Sequence, residues 1–491
     1  MRQSGILLHV SSLPSSYGIG SLGKEAYRFV DFLKQAGQRC WQMLPINPTG
    51  YGDSPYQALS SFAGNYYLID LDLLVEEKLL EPCEVSEKSW GDNPAKVDFS
   101  ILYQQRLPLL HKAFQRFDAE KNPEYKEFVR QKKGWLEDYA LFMALKEEND
   151  QAPWTQWEDG IRLRDEDALK ECRGRLKEQM EFHYFLQFLF YRQWDELHKY
   201  AAEQGVSLIG DVPIYVPMDS ADVWAAPDRF QLDQNRMPVV IAGCPPDAFA
   251  AEGQRWGNPI YDWEAMKIDG YDWWISRLRA ATHFFDVIRI DHFRGIESYW
   301  AIPAEEETAV KGQWRKGPGM DLIRAIHENL PETRFIAEDL GFLTPEVMEM
   351  QEQSGFPGMK VLQFAFDSRE EGNYLPYTYT RNTVCYTGTH DNETLRQWQE
   401  MIRSENLQYA LEYLQIEDED SLPDAMIACG MASVSDLFVA QMQDYLGLGA
   451  EARMNKPSTL NERNWTWRAQ EGQITPGLAE KIGRLTKLYG R

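Results

Sequence analysis

The feature that most constrains this chain is a rhythm of short β-branched runs, each followed by helical or loop-rich material. Candidate strands are Gly5–Val10, Arg39–Pro45, Val206–Asp211, Asp286–Asp291, Arg334–Asp339, Lys360–Phe366 and Thr383–Thr387. An eighth, less distinct, lies near Leu437–Met442. Between the first two, Ala26, Phe29, Val30 and Leu33 recur at helical spacing and Gly37 stands where a helix stops. Strand, helix and strand over so short a span argue for parallel β structure. The expected fold class is α/β, a (β/α)8 TIM barrel, whose chemistry sits at the C-terminal ends of the strands. A doubly wound open sheet is the alternative, but no Gly-rich phosphate loop follows the first run.

The rhythm is interrupted twice. Residues from about 47 to 180 read as a mainly helical insertion, and EQMEFHYFLQFLFYRQWDELHKYAAEQG rejoins the scaffold just before Val206. Residues from about 213 to 280, rich in Pro, Gly and Trp, read as a lid or substrate-binding subdomain. The whole of 1–491 is then one catalytic barrel with two excursions.

Charge and cysteine content exclude several roles. A net charge of −25 repels nucleic acid and anionic membrane surfaces, so neither is expected as a partner. Cys40, Cys83, Cys172, Cys244, Cys385 and Cys429 are widely separated, with no zinc spacing and no disulfide framework. The apolar run near the N-terminus is too short for a signal peptide, and no run reaches transmembrane length. A cytoplasmic location is expected.

Four candidate strands end in acids. These ends carry Asp211, then Asp291, then Glu338 with Asp339, then His390 with Asp391 and Glu393. In FFDVIRIDHFRG, Arg289 and Asp291 are two residues apart and share a strand face, so both point toward the barrel axis while Ile288 and Ile290 pack outward. A buried Arg–Asp pair alone reads equally well as structural. Several buried carboxylates are costly unless paired or used, which favours a site. Two carboxyl groups flanking a glycosidic bond suffice to cleave it, one ionised and one kept protonated. Aromatic content, 16 Trp, 24 Tyr and 23 Phe, suits stacking on sugar rings. The acids also suit a divalent metal, although Arg289 beside Asp291 competes with one. No metal and no cofactor are expected.

The motifs SLPSSYGIGSLG, LPINPTGYGDSPYQ, GDVPIYV, GQRWGNPIYDW, VIRIDHFRG, WRKGPG, AEDLG, GFPGMKVLQFAF, THDNET and NWTWR stand in this order along the chain. Together they resemble the 4-α-glucanotransferases (amylomaltases, or disproportionating enzymes) of glycoside hydrolase family 77. The family is similar to α-amylases in fold and mechanism. The resemblance implies retaining transfer of an α-1,4-glucan segment through a covalent glucosyl-enzyme. Maltooligosaccharides, amylose or other α-1,4-glucans would be donors, and glucose or a glucan 4-hydroxyl the acceptor. It implies Asp291 as nucleophile, Glu338 as general acid/base and Asp391 as transition-state stabiliser. Arg289 would fix the nucleophile and His390 would bind the sugar, with Asp211 beside them. Asp339 competes with Glu338 on spacing alone; the family's motif selects Glu338.

Outer contacts follow from the same resemblance. Tyr56 matches an aromatic platform beside the cleaved bond, and Asn464 and Trp465 look like donor- or acceptor-site contacts. Within the loop Gly243–Gly257, Asp247, Gln254 and Trp256 are candidates for sugar contacts on a lid that excludes water. Tyr51 is a candidate for an outer glucan groove or, equally, a solvent-facing residue of a Gly-rich turn, and Phe364 is a candidate for the cavity lining, although a strand Phe in a barrel is more often core. The chain lacks the D-x-x-x-N-H motif of α-amylases after the third strand, so no structural calcium is expected, and no C-terminal β-sandwich is expected after residue 468. The alternative activity is an α-1,4-glucan hydrolase of the amylase clan, with water as acceptor.

Overall fold

A computed structural model describes residues 2–246, 251–341, 343–366 and 374–491; the side chain of Tyr51 lies outside that description. Eight parallel strands form one sheet: β1 Gln3–Leu7, β2 Cys40–Gln42, β3 Ser207–Val212, β4 Val287–Ile290, β5 Arg334–Ala337, β6 Gly358–Val361, β7 Thr383–Tyr386 and β8 Leu437–Gln441. Sequence neighbours pair in parallel except β5 and β6, and β8 pairs with β1. Between β5 and β6 the ring is completed by single bonds, Ala337 N–H to the Pro357 carbonyl at 2.9 Å and Met359 N–H to Asp339 Oδ1 at 2.6 Å. The result is a (β/α)8 barrel.

Alternation along the strands separates two cores. Leu7, Cys40, Ile209, Val287, Ile336, Met359, Val361, Val384, Tyr386 and Val439 fill the barrel interior. Their neighbours Ile6, Trp41, Leu208, Ile288, Phe335, Cys385 and Phe438 pack outward with the helices. Ile288 and Ile290 thus face outward while Val287 faces the axis, as the two-residue period requires. The helix after β1 runs Lys24–Gln35, with Ala26, Phe29, Val30 and Leu33 buried and Gly37 in the left-handed region at φ 70°.

Several expected strands are shorter than their sequence suggests: Gly5–Val10 ends at Leu7 and Arg39–Pro45 reduces to Cys40–Gln42. β6 ends at Val361 and the chain turns into a one-turn helix, Leu362–Ala365. Val361 is the last β-branched residue of that run; Leu, Gln, Phe and Ala after it are at ease in a helix. Phe364 therefore sits on a helical turn, not a strand.

Between β2 and β3 lie the helices Phe99–Arg116, Pro123–Glu148, Glu166–Arg175 and Lys177–Glu203, the last leading directly into β3. Two buried glutamines on it brace the long loop after β2. Gln187 bonds both the N–H (2.7 Å) and the carbonyl (2.9 Å) of Gly64, and Gln193 bonds those of Asp70 (2.7 and 3.3 Å). A second, antiparallel sheet orders Gln254–Pro259, Val240–Cys244, Ser298–Pro303 and Gln313–Lys316. It takes two strands from before β4 and two from after it, so Gln254 and Trp256 sit on an edge strand, where the sequence suggested a loop over Gly243–Gly257, and are tied to the segment that follows Asp291.

Candidate active site

Strand register builds the first half of the site. Asp211 on β3 lies opposite Arg289 on β4, and Ile290 opposite Ala337 on β5. Asp291 and Glu338 are the next residues on neighbouring strands, held level by Asp291 N–H to the Val212 carbonyl and Glu338 N–H to the Ile290 carbonyl, both 3.0 Å. Arg289 is 4% exposed. Its Nη1 reaches Asp211 Oδ1 and Oδ2 at 2.7 and 2.6 Å and Asp291 Oδ1 at 2.8 Å, while Nε reaches Met359 Sδ at 3.4 Å. Burial works against the Arg289 charge, and the two carboxylates outweigh it, lifting the guanidinium well above its usual range. Burial pushes the Asp211 carboxyl up and Arg289 opposes it. One guanidinium thus holds two carboxyl groups side by side at the barrel mouth.

Glu338 is in a different state. Burial pushes its carboxyl from 4.5 to about 8, against the pull of Arg289 and with the push of Asp291. Two backbone donors fix it, His292 N–H on Oε2 at 2.7 Å and Leu340 N–H on Oε1 at 2.9 Å. His292 adopts φ 49°, a left-handed conformation that aims its N–H at Glu338. The neighbouring Asp339 instead accepts from Met359 N–H at the barrel seam, so Glu338, and not Asp339, joins the cluster.

The second half comes from β7, the loop after β2 and the C-terminal segment. His390 is buried and its ring stacks on Tyr56, centroids 5.0 Å apart at 16°. The Tyr56 hydroxyl donates to Asp211 Oδ2 at 2.8 Å and lies 3.4 Å from His390 Nδ1, which joins the two halves. Trp465, at a left-handed φ of 66°, completes an aromatic wall 5.8 Å from Tyr56 and 6.0 Å from His390. Asp391 is 44% exposed, 3.3 Å from His390 Nε2 at Oδ1, where it also accepts from Asn455 Nδ2 at 2.6 Å.

On the lid side, the Trp256 ring meets His292 edge-to-face at 4.8 Å, and its Nε1 donates to Gln254 Oε1 at 3.1 Å. Burial holds the His292 imidazole down at about 4, so it is neutral against that ring. Phe364 packs against the interior cluster at the mouth. The Asn464 side chain is engaged within its own loop, accepting from Lys456 N–H (3.1 Å) and donating to the Thr459 carbonyl (2.9 Å). Asp247 and the Tyr51 side chain lie outside the described residues. Among the described residues no group of three or more His, Cys, Asp or Glu is arranged to hold a metal ion.

A sequence model of the family described as 4-alpha-glucanotransferase, glycoside hydrolase family 77, matches residues 8–475. The chain belongs to the 4-alpha-glucanotransferase family. The Clostridium butyricum 4-alpha-glucanotransferase is 45% identical over 99% of this chain and 100% of its own length. That of Streptococcus pneumoniae serotype 4 is 48% identical over 100% and 97%. The solved amylomaltase from Streptococcus agalactiae in complex with acarbose superposes with a TM-score of 0.97 at 39% identity, covering all of both chains. An amylomaltase structure from Corynebacterium glutamicum, at 19% identity, shares the fold with a TM-score of 0.79 over 99% of this chain and 75% of its own. Membership in the 4-alpha-glucanotransferase family makes this chain an enzyme of glucan transfer.

Sequence reading missed several residues of the site. Met359 offers its sulfur to Arg289, the His292 N–H holds Glu338, and Arg453 and Asn455 contact Asp391. The polar run His390-Asp391-Asn392-Glu393 beyond β7 signals Asp391, but nothing local in Arg453–Asn455 signals that it returns to the site.

Proposed function

We propose that this glucanotransferase moves a segment of an α-1,4-glucan from a maltooligosaccharide or amylose donor to the 4-hydroxyl of glucose or another glucan, with retention. Asp291, oriented by Arg289, attacks the anomeric carbon while Glu338 gives its proton to the departing glycosidic oxygen. The bond to the aglycone breaks and a glucosyl ester to Asp291 forms. Glu338, now ionised, takes the proton of the acceptor hydroxyl, which displaces Asp291 from the opposite face. Asp391 and His390 bind the sugar at the reacting ring, and Tyr56 and Trp465 stack beside it. Trp256 and Gln254 cover the acceptor side and disfavour water as the second nucleophile.

The observation that carries this reading is the pair Asp291 and Glu338 on adjacent strand ends, the first bound by Arg289 and the second pushed to about 8 by burial. A carboxyl group kept protonated beside one held by a guanidinium is what acid-assisted attack requires. Among the described residues no helix is long and apolar enough to cross a membrane. The test is incubation with maltotriose alone, resolving products by chain length. A ladder of longer maltooligosaccharides with glucose is expected; glucose and maltose alone would make water the acceptor and the protein a hydrolase.

A further inference from the structure

The C-terminal segment reaches back into the site through one side chain. Arg453 donates from Nη2 to the backbone carbonyl of Asp391 at 2.7 Å, from Nη1 to Glu393 Oε1 at 2.6 Å and from Nε to the Asn455 carbonyl at 2.7 Å. Its side chain is only 14% exposed. Asn455 in turn holds the Asp391 carboxylate. One guanidinium therefore grips both the backbone of Asp391 and the backbone of the residue that orients its side chain. Glu393, the third partner, is itself anchored: its carbonyl accepts from Gln363 Nε2 at 2.8 Å, just beyond β6, and from Gln441 Nε2 at 3.3 Å, at the end of β8.

Asp391 needs such a brace. Nearly half of its side chain is exposed, so packing does not fix it, yet a group that stabilises a transition state must be held to a fraction of an ångström. A planar fork with donors in fixed directions binds three acceptors at once, which an ammonium cannot reproduce. We propose that Arg453 is a positioning residue for transfer, locking Asp391 and Asn455 to the barrel mouth through the ends of β6 and β8. The proposal rests on the reading of Asp391 as a transition-state stabiliser. Its loss then falls on kcat and spares KM, because the misplaced group acts in the transition state.

The experiment measures kcat, KM and Tm with a fluoride-activated maltosyl donor, which keeps slow variants measurable, for Arg453→Met, Arg453→Lys, Asp391→Asn and the double variant D391N/R453M. Arg453→Met is expected to lower kcat by ~10- to 100-fold, the scale of a displacement of about 1 Å. KM should stay within about threefold. Arg453→Lys should recover little of the loss, and R453M should cost almost nothing further in the D391N background, since neighbours acting as a unit are not additive. A merely structural Arg453 would cost the same factor in both backgrounds, and that result overturns the proposal, as does R453K at the wild-type kcat. If R453M does not fold, R453K, which keeps the charge toward Glu393, carries the same comparison against D391N. Wild-type activity in D391N would remove the reading of Asp391 and this inference with it; an inactive D391N beside a fully active R453M would remove the inference alone.

Discussion

The two halves of the barrel mouth are built by different means. On β3–β5, Asp211, Arg289, Asp291 and Glu338 are neighbours by strand register, gathered round a guanidinium that is 4% exposed. On the β7 side, Asp391 is 44% exposed and is held by His390, Arg453 and Asn455, the last two reaching it only once the barrel has closed. The first half places nucleophile and acid by the same hydrogen bonds that make the sheet. The second leaves room for a chain of sugars and is steadied by long-range polar bonds instead. Stability should therefore concentrate in the first half, while both halves carry activity.

The largest effects test that division at the reacting carboxyls. Asp291→Asn and Glu338→Gln should each lower kcat by ~10⁴-fold or more, as removal of groups acting in concert does. A fluoride-activated donor, whose leaving group needs no proton, should restore the first step in E338Q and not in D291N. Rescue of both, or of neither, would break the assignment of roles.

Next comes the contrast in stability. Arg289→Met leaves two carboxylates with no cation in a buried site, a change worth about 3–5 kcal/mol of destabilisation. Asn455→Ala removes one bond to a half-exposed carboxylate and should cost about 1 kcal/mol or less. Urea unfolding of the two variants measures both. Equal losses would mean that the C-terminal segment is as much a structural element as the Arg289 cluster.

That contrast also explains what could be read from the chain. Seven strands, the facing of Arg289 and Asp291, and the acids at the strand ends were legible because each is local: a period of two, a β-branched run, a charged residue where the run stops. The run Lys360–Phe366 looks like one strand because apolar residues continue past it, but its β-branched signal ends at Val361 and so does β6. Arg453 and Asn455 carry no such mark, because their partners lie some sixty residues away. The family motifs located the NWTWR stretch. Trp465 does reach the aromatic wall, whereas the amide of Asn464 is engaged with Lys456 and Thr459, a distinction of side-chain direction that spacing cannot make.

A smaller effect concerns the lid side. Trp256→Ala removes the ring that covers His292 and opens the acceptor face to water. Transfer should fall and the hydrolysed fraction of product rise by about 1 kcal/mol of discrimination, roughly fivefold, within the range of one lost apolar contact. Reducing sugar released per transfer event is the measurement. An unchanged ratio would show that acceptor choice is set elsewhere, on the Tyr56 and Trp465 wall.

A last effect is on the pH dependence of stability and lies within the half built round Glu338. Because Glu338 titrates near 8 in the folded protein and near 4.5 when exposed, the folded state holds a proton that the unfolded state has lost between those values. Stability contributed by this group is thus full below about pH 4.5 and declines as pH rises toward 8. Glu338→Gln, which cannot ionise, escapes that decline. Its Tm relative to the parent should rise from pH 4 to pH 8, whatever constant cost comes from replacing one accepting oxygen by an amide NH2, while the parent's kcat/KM falls as pH rises through about 8 because the acid form is consumed. If the Tm difference is the same at both pH values, the carboxyl is already ionised in the folded protein. The two backbone donors from His292 and Leu340 would then have outweighed burial, and Glu338 would have to take up its proton from solvent as substrate binds.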